Sequence, residues 1–339
     1  RADSTCIDAA AATAAAERLV SSEQVKAIIG GLCSGANTAM LKNVAMPKGV
    51  VLFSPSATSP ALTTIADNDL FFRASPSDAR QGQILADMVS ERGVTEIAVT
   101  YTNNDYGKGL ADAFQENFEA KGGTVTISAA HEDGKADYSA EVAALAAAGG
   151  EELAVFGYLD QGGKGIIQAS IDTGAFDVFV MGDGMIGDSI AAAIGTDFDG
   201  SYGTVPGSTS DGAMTWINEV SGDGVDGSAP FTAESYDAAA LLVMAMQAAG
   251  SSDRDAIAAQ VLNVSNGPGE KIYPGQLAKA LAILAKGGDI DYVGAHRRGC
   301  SRAACARAHQ KQLTHCICFN HDGIQNTIIT LDGGTGSTR

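Results

Sequence analysis

Short apolar runs alternate with amphipathic stretches along most of this 339-residue chain, and no other feature constrains its fold as tightly. Residues 25–31, 50–53, 96–101, 124–128, 153–158 and 178–181 read as strands: short, apolar, rich in Val, Ile and Phe, and bounded by turn residues. Between them, residues 36–45, 60–65, 81–92, 109–121, 138–148 and 163–173 carry helical spacing, with Ile84, Leu85, Met88 and Val89 on one side of the third. A parallel strand pair needs a long crossover and a helix supplies one, so this alternation argues for parallel sheets covered by helices on both faces. Helices at 213–220 and 235–249 follow. The second is apolar on most faces and reads as a deeply packed core helix.

With 45% hydrophobic and 18% charged residues, the chain can build two packed domains and is too apolar to be disordered. Its longest apolar stretches, such as residues 238–249, fall short of the roughly 18–20 residues of a membrane span, so no membrane insertion is expected. A formal net charge of −18 repels nucleic acid, whose binding needs Lys and Arg against phosphates. The final 44 residues, 296–339, differ from the rest: six Lys/Arg against two Asp/Glu, four of the five histidines and four of the six cysteines. Cys300-x4-Cys305 and Cys316-x-Cys318 lack the paired spacing of structural zinc sites, so no metal is expected. Arg, Ala and Cys at high density without periodicity resemble an out-of-register reading frame, and this tail is expected to lie outside the fold.

Few motifs for chemistry survive inspection. Residues 178–187 read VFVMGDGMIG and contain a formal G-x-G-x-x-G at Gly182, Gly184 and Gly187. The following helix is very short and no second strand ends in a ribose-binding acid, so a nucleotide-dependent enzyme using this loop is only an alternative. Gly162-Gly163-Lys164-Gly165 lacks the first Gly and the Ser/Thr of a phosphate loop. There is no G-x-S-x-G or H-E-x-x-H, and His131, the one histidine outside the tail, sits in a polar turn where solvated surface is expected. No catalytic residue is assigned. The stretch FSPSATSP at 53–60 follows an apolar run and ends it with four hydroxyls and two prolines. Such a cluster is either turn chemistry or a set of ligand donors at a strand's carboxyl end.

Seven segments then line up in order: CSGA at 33–36, SPSATSPALT at 54–63, YGKGLADAF at 106–114, DYSAEVAAL at 137–145, FGY at 156–158, GDGM at 182–185 and SYDAAALL at 235–242. Together they resemble the periplasmic branched-chain amino-acid binding proteins that feed ABC importers, from residue 2 to about residue 295. The resemblance implies an α/β type I periplasmic binding fold: two doubly wound parallel-sheet lobes joined by a hinge. It places residues 1–75 and 207–288 in the first lobe, 76–206 in the second and 289–295 in a third hinge strand. It also implies that the family's first strand and helix, with its export signal, would precede residue 1, and that the protein works in the periplasm.

By the same resemblance, Ser34, Ala57 and Thr58, with helix N-termini behind them, would meet an α-carboxylate. Tyr106 and Tyr158 would cover the ligand and Asp183 would accept its α-ammonium. Cys6 and Cys33 match a cysteine pair of the family and are expected to form a disulfide. The implied function is non-enzymatic: a monomer without cofactor or metal that captures a branched-chain or related amino acid and delivers it to the permease of an ABC transporter. A ligand sensor of the same fold is the other alternative.

Overall fold

The structure, a computed structural model, describes residues 5–195, 197–207, 210–295 and 329–330. They form two compact units: one from the residues up to 76 together with the described residues from 206 to 295, the other from residues 77–205 with 329–330.

The first unit is built on a three-stranded parallel sheet, β1 (Ala27–Ile29), β2 (Val51–Ser54) and β3 (Phe71–Arg73), in that order. Every residue of β2 and β3 is buried, which is why β2 reads as an unbroken apolar run and not as an alternating one. Phe53 and Phe72 stand opposite each other in the register, ring centroids 5.9 Å apart. They share a core with Leu241, Leu242, Met244 and Ala245 of the helix Thr232–Ala249 and with Ile257 and Val261 of the helix Arg254–Asn266. A second parallel pair, β9 (Glu270–Ile272) and β10 (Ile290–Tyr292), enters the same core through Ile272, Ile290 and Tyr292.

The second unit carries a six-stranded sheet. Its members are β4 (Glu96–Thr102), β5 (Thr124–His131), β6 (Glu152–Phe156), β7 (Phe179–Met181), β8 (Tyr202–Gly203) and β11 (Ile329–Thr330), in the order β11-β8-β7-β6-β4-β5. All pairings are parallel except that of β11 with β8. β6 is buried along its whole length, whereas the edge strand β5 is exposed or half-buried until His131. Helices Asp78–Glu91 and Asp105–Ala120 pack closely because Gly82 faces the second: a Cβ there would stand 2.6 Å from the Phe114 nitrogen.

β3 and β8 have three and two residues, too few to show a period, and escape a reading based on periodicity. The helix Ala9–Glu17 escapes it too, since its run of alanines offers no contrast between faces. Ile329–Thr330 pairs with β8 at the edge of the six-stranded sheet, against the expectation that 296–339 lies outside the fold; the rest of the tail, and with it the expectation that it holds no metal, lies outside the described residues. Among the described residues, no helix is long and apolar enough to cross a membrane, and no group of three or more His, Cys, Asp or Glu could hold a metal ion.

Cys6 and Cys33, 27 positions apart in sequence, form a disulfide with Cα atoms 5.3 Å apart. It ties the segment ahead of the first helix to the turn after β1. A loop of that length constrains the unfolded chain by about 3 kcal/mol in the chain-entropy view. Replacing both cysteines by serine is therefore expected to lower the unfolding free energy by about that amount, measured by urea denaturation under oxidising conditions.

Candidate functional site

In the first unit, Ser34, Ala57 and Thr58 come together at the carboxyl ends of β1 and β2. Three of the four hydroxyls of FSPSATSP are committed to the protein itself. Ser54 Oγ donates to the Gly31 carbonyl (2.8 Å) and accepts from the N–H groups of Ser56 and Ala57 (3.3 and 3.0 Å). Ser56 Oγ donates to the Leu32 carbonyl at 2.7 Å, and Ser59 Oγ accepts from the Ala61 N–H. These residues fold the loop, as local side-chain to backbone bonds do. Thr58 is different: its Oγ1 is buried and has no hydrogen-bond partner. Ser34 Oγ accepts from the Ser59 N–H at 3.1 Å and keeps its proton for another acceptor. Ala57 offers shape and no backbone group, since its N–H goes to Ser54 and its carbonyl accepts from Arg73 and Ser75.

Sequence reading missed Arg73. Its buried guanidinium donates to the carbonyls of Ala57 (3.1 Å) and Ser59 (2.9 Å) and to the Thr63 hydroxyl (2.5 Å), holding the loop from below. A lone cation ending an otherwise aromatic strand, Phe-Phe-Arg, was the available signal. The helix beyond the loop, Ala61–Thr64, has one turn, whereas the helix that begins at Ser34 continues through Lys48, so its N-terminus stands beside the hydroxyls at this face.

In the second unit, Tyr106, Tyr158 and Asp183 converge from three loops. Asn104 caps the helix Asp105–Ala120 by accepting from the N–H groups of Tyr106 and Gly107, which fixes Tyr106 in the first turn and starts the helix earlier than expected. The Tyr106 hydroxyl donates to Asp183 Oδ1 (3.0 Å) and accepts from the Gly184 N–H (2.9 Å). The Tyr158 ring stacks on Tyr106, centroids 5.1 Å apart and 20° between planes. Its hydroxyl is buried without a partner.

The glycines of the formal G-x-G-x-x-G serve this packing. A Cβ at Gly184 would stand 2.5 Å from the Gly157 carbonyl oxygen, one at Gly182 would stand 2.6 Å from Leu110, and Gly187 faces Leu159. Asp183 is buried, and desolvation raises its carboxyl to about 6 despite hydrogen bonds from Tyr106 and Gln81. Burial, then the charges of Asp183, Asp133, Asp78 and Asp105, push the Tyr158 hydroxyl above its usual range. The face is acidic and suits a cationic group.

The structure corrects the placement of His131. It is buried, at 1% exposure, as the last residue of β5, because the strand runs three residues further than its apolar pattern. Its Nδ1 lies 2.9 Å from Thr100 Oγ1, which also contacts the Ala129 carbonyl at 3.1 Å. When the hydroxyl proton goes to the Ala129 carbonyl, the histidine carries its own proton on Nδ1 and donates to Thr100.

Two expected outcomes follow from this geometry. Arg73→Met leaves two carbonyls and a hydroxyl without their charged donor and should cost about 3 kcal/mol in urea denaturation. Burial lowers the His131 imidazole from 6.5 to about 4, so the unfolded chain takes up the proton first. The stability this group contributes is complete above about pH 6.5 and is lost as the pH falls through 4, a change of up to about 3 kcal/mol. His131→Phe should flatten that part of a pH titration of stability in the ligand-free protein.

With this architecture in view, comparison with known proteins is informative. Residues 6–270 match the family described as periplasmic binding protein. The chain is 26% identical over 297 residues to a chemotactic signal transduction system substrate-binding protein of Halobacterium salinarum, covering 82% of this chain and 66% of the relative. It is 29% identical over 246 residues to a Leu/Ile/Val-binding protein homologue of Brucella melitensis, covering 70% of this chain and 65% of the relative. The chain thus spans about two thirds of the length of these relatives. Among solved structures it is similar to the leucine-binding protein LivK of Thermotoga maritima, with a TM-score of 0.68, 25% identity and coverage of 76% of this chain and 74% of that one. The α/β units with their parallel sheets agree with the match over most of the chain: this chain belongs to the periplasmic binding protein family.

Proposed function

We propose that this protein captures an amino acid, branched-chain or related, in the periplasm and delivers it to an ABC importer. A substrate-binding role outside the cytoplasm comes with the family; the ligand, its delivery and the residues that hold it are our reading. The observation that carries it is Asp183: a buried carboxylate fixed by the Tyr106 hydroxyl beside two stacked tyrosines. A buried anion with no cation among its described partners is costly by itself and is relieved by an ammonium brought by the ligand. Tyr106 and Tyr158 offer aromatic surface to the same group. In this reading Ser34 and Thr58 offer hydroxyl protons suited to a carboxylate, and Ala57 shapes the space beside them. No step in this arrangement breaks a covalent bond. Its chemistry is capture and release.

A second reading is favoured by one relative. The Halobacterium protein is a substrate-binding protein of a chemotactic signalling system, so the same capture could report an amino acid to a receptor instead of feeding an importer. Pull-down of the ligand-loaded protein with permease subunits or with a receptor ectodomain separates the two.

Asp183→Ala is expected to weaken amino-acid binding by roughly 2–5 kcal/mol, as truncating one partner of a buried charged pair does, with unchanged circular dichroism. Unchanged affinity in isothermal titration would reject the assignment. Because the free carboxyl titrates near 6 and an ammonium needs it ionised, affinity should hold at pH 7–8. It should then fall about tenfold per unit below pH 6.

A further inference from the structure

We propose that the second unit carries a polar subsite, at the carboxyl ends of β4, β5 and β6, that selects an amino acid whose side chain ends in an N–H donor. This rests on the amino-acid reading above and concerns the side chain, which Asp183 and Ser34 do not address.

Buried polar groups without partners cluster beside Tyr158. His131 is 1% exposed and its Nε2 has no hydrogen-bond partner. In the tautomer that places the proton on Nδ1, toward Thr100, that nitrogen is a bare acceptor. It is aimed at the turn carrying Tyr158: a Cβ at Gly157 would stand 3.2 Å from Nε2 and 3.7 Å from Thr102 Cβ. Asp133 follows two residues later. Its Oδ2 accepts from the Thr102 hydroxyl, while its Oδ1 is buried and without a partner. A Cβ at Gly162 would stand 3.0 Å from that oxygen. The Tyr158 hydroxyl, also buried and partnerless, lies close enough to feel the Asp133 charge.

Each acceptor is oriented by a threonine at the end of β4, Thr100 for His131 and Thr102 for Asp133, so they are held in place and are not free to turn aside. Buried polar atoms are ordinarily paired, and two acceptors on one strand end call for a donor. An aliphatic side chain would bury them unpaired. An amide or a cationic nitrogen would supply the missing N–H, and an amide would also offer its oxygen to the Tyr158 proton. Sites built on such pairs reject analogues that lack the polar group far more strongly than apolar pockets reject a methylene.

The test is a titration panel on the unmodified protein: leucine, isoleucine and valine against glutamine and asparagine for the amide arm, and lysine and ornithine for the cationic arm. At least one donor-bearing amino acid should bind tenfold or more tightly than leucine. Asp133→Asn, which keeps the shape, and His131→Phe should each reduce that ratio at least fivefold, the first affecting the cationic arm more than the amide arm. Leucine, isoleucine or valine binding as tightly as every donor-bearing ligand would overturn the subsite and leave the amino-acid reading standing. So would a ratio unmoved by Asp133→Asn, the behaviour of a pocket that water alone satisfies. Binding of no amino acid at all would overturn both.

Discussion

Parallel pairing forces the strands of a sheet to end along the same edge, and everything functional in the second unit depends on that. β4, β5, β6 and β7 run side by side in one direction, so the turns that follow them meet although they are separated by about 80 residues of sequence. Asn104 and Tyr106 come from the first turn, Asp133 from the second, Tyr158 from the third and Asp183 from the fourth. A hydrogen bond from Tyr106 to Asp183, 77 residues apart, is available only because three crossovers return the chain to the same edge. The glycines at 157, 182 and 184 follow from the same crowding: where turns converge, side chains give way to backbone.

That crowding also sets the electrostatics. Turns packed edge to edge exclude water, and a carboxylate placed there loses hydration that two or three hydrogen bonds replace in part. Asp183 is left poised near 6, where proximity to a cation decides its charge. His131 and Asp133 are shifted for the same reason, in the directions burial requires: the imidazole down and the carboxyl up. A groove in contact with bulk water would show neither shift.

The first unit solves a different problem with the same device. Its loop after β2 must expose hydroxyls without exposing backbone, and it does so by spending most of them. Ser54, Ser56 and Ser59 bind backbone groups, Arg73 gathers the carbonyls from beneath, and the Thr58 hydroxyl and the Ser34 proton are what is left to offer. Turn chemistry and ligand chemistry, alternatives in the sequence, are here two layers of one loop.

The sequence by itself determined the class of fold, because a chain that alternates buried runs with amphipathic helices has few ways to cover both faces of a sheet other than parallel crossover. It also marked Tyr106, Tyr158 and Asp183 by their position after strands, and the cysteine pair through resemblance. Tertiary structure alone decided what each polar residue does. Periodicity reports which face of an element is apolar and says nothing about which strand end lies beside which. His131 therefore read as a solvated turn residue although it closes a buried strand. Arg73 drew no reading from the sequence although it supports a loop 14–16 residues away. The G-x-G-x-x-G left a nucleotide loop open as an alternative, and its glycines make room for a tyrosine and two leucines. In each case the deciding fact is a neighbour distant in the chain, and only packing supplies it.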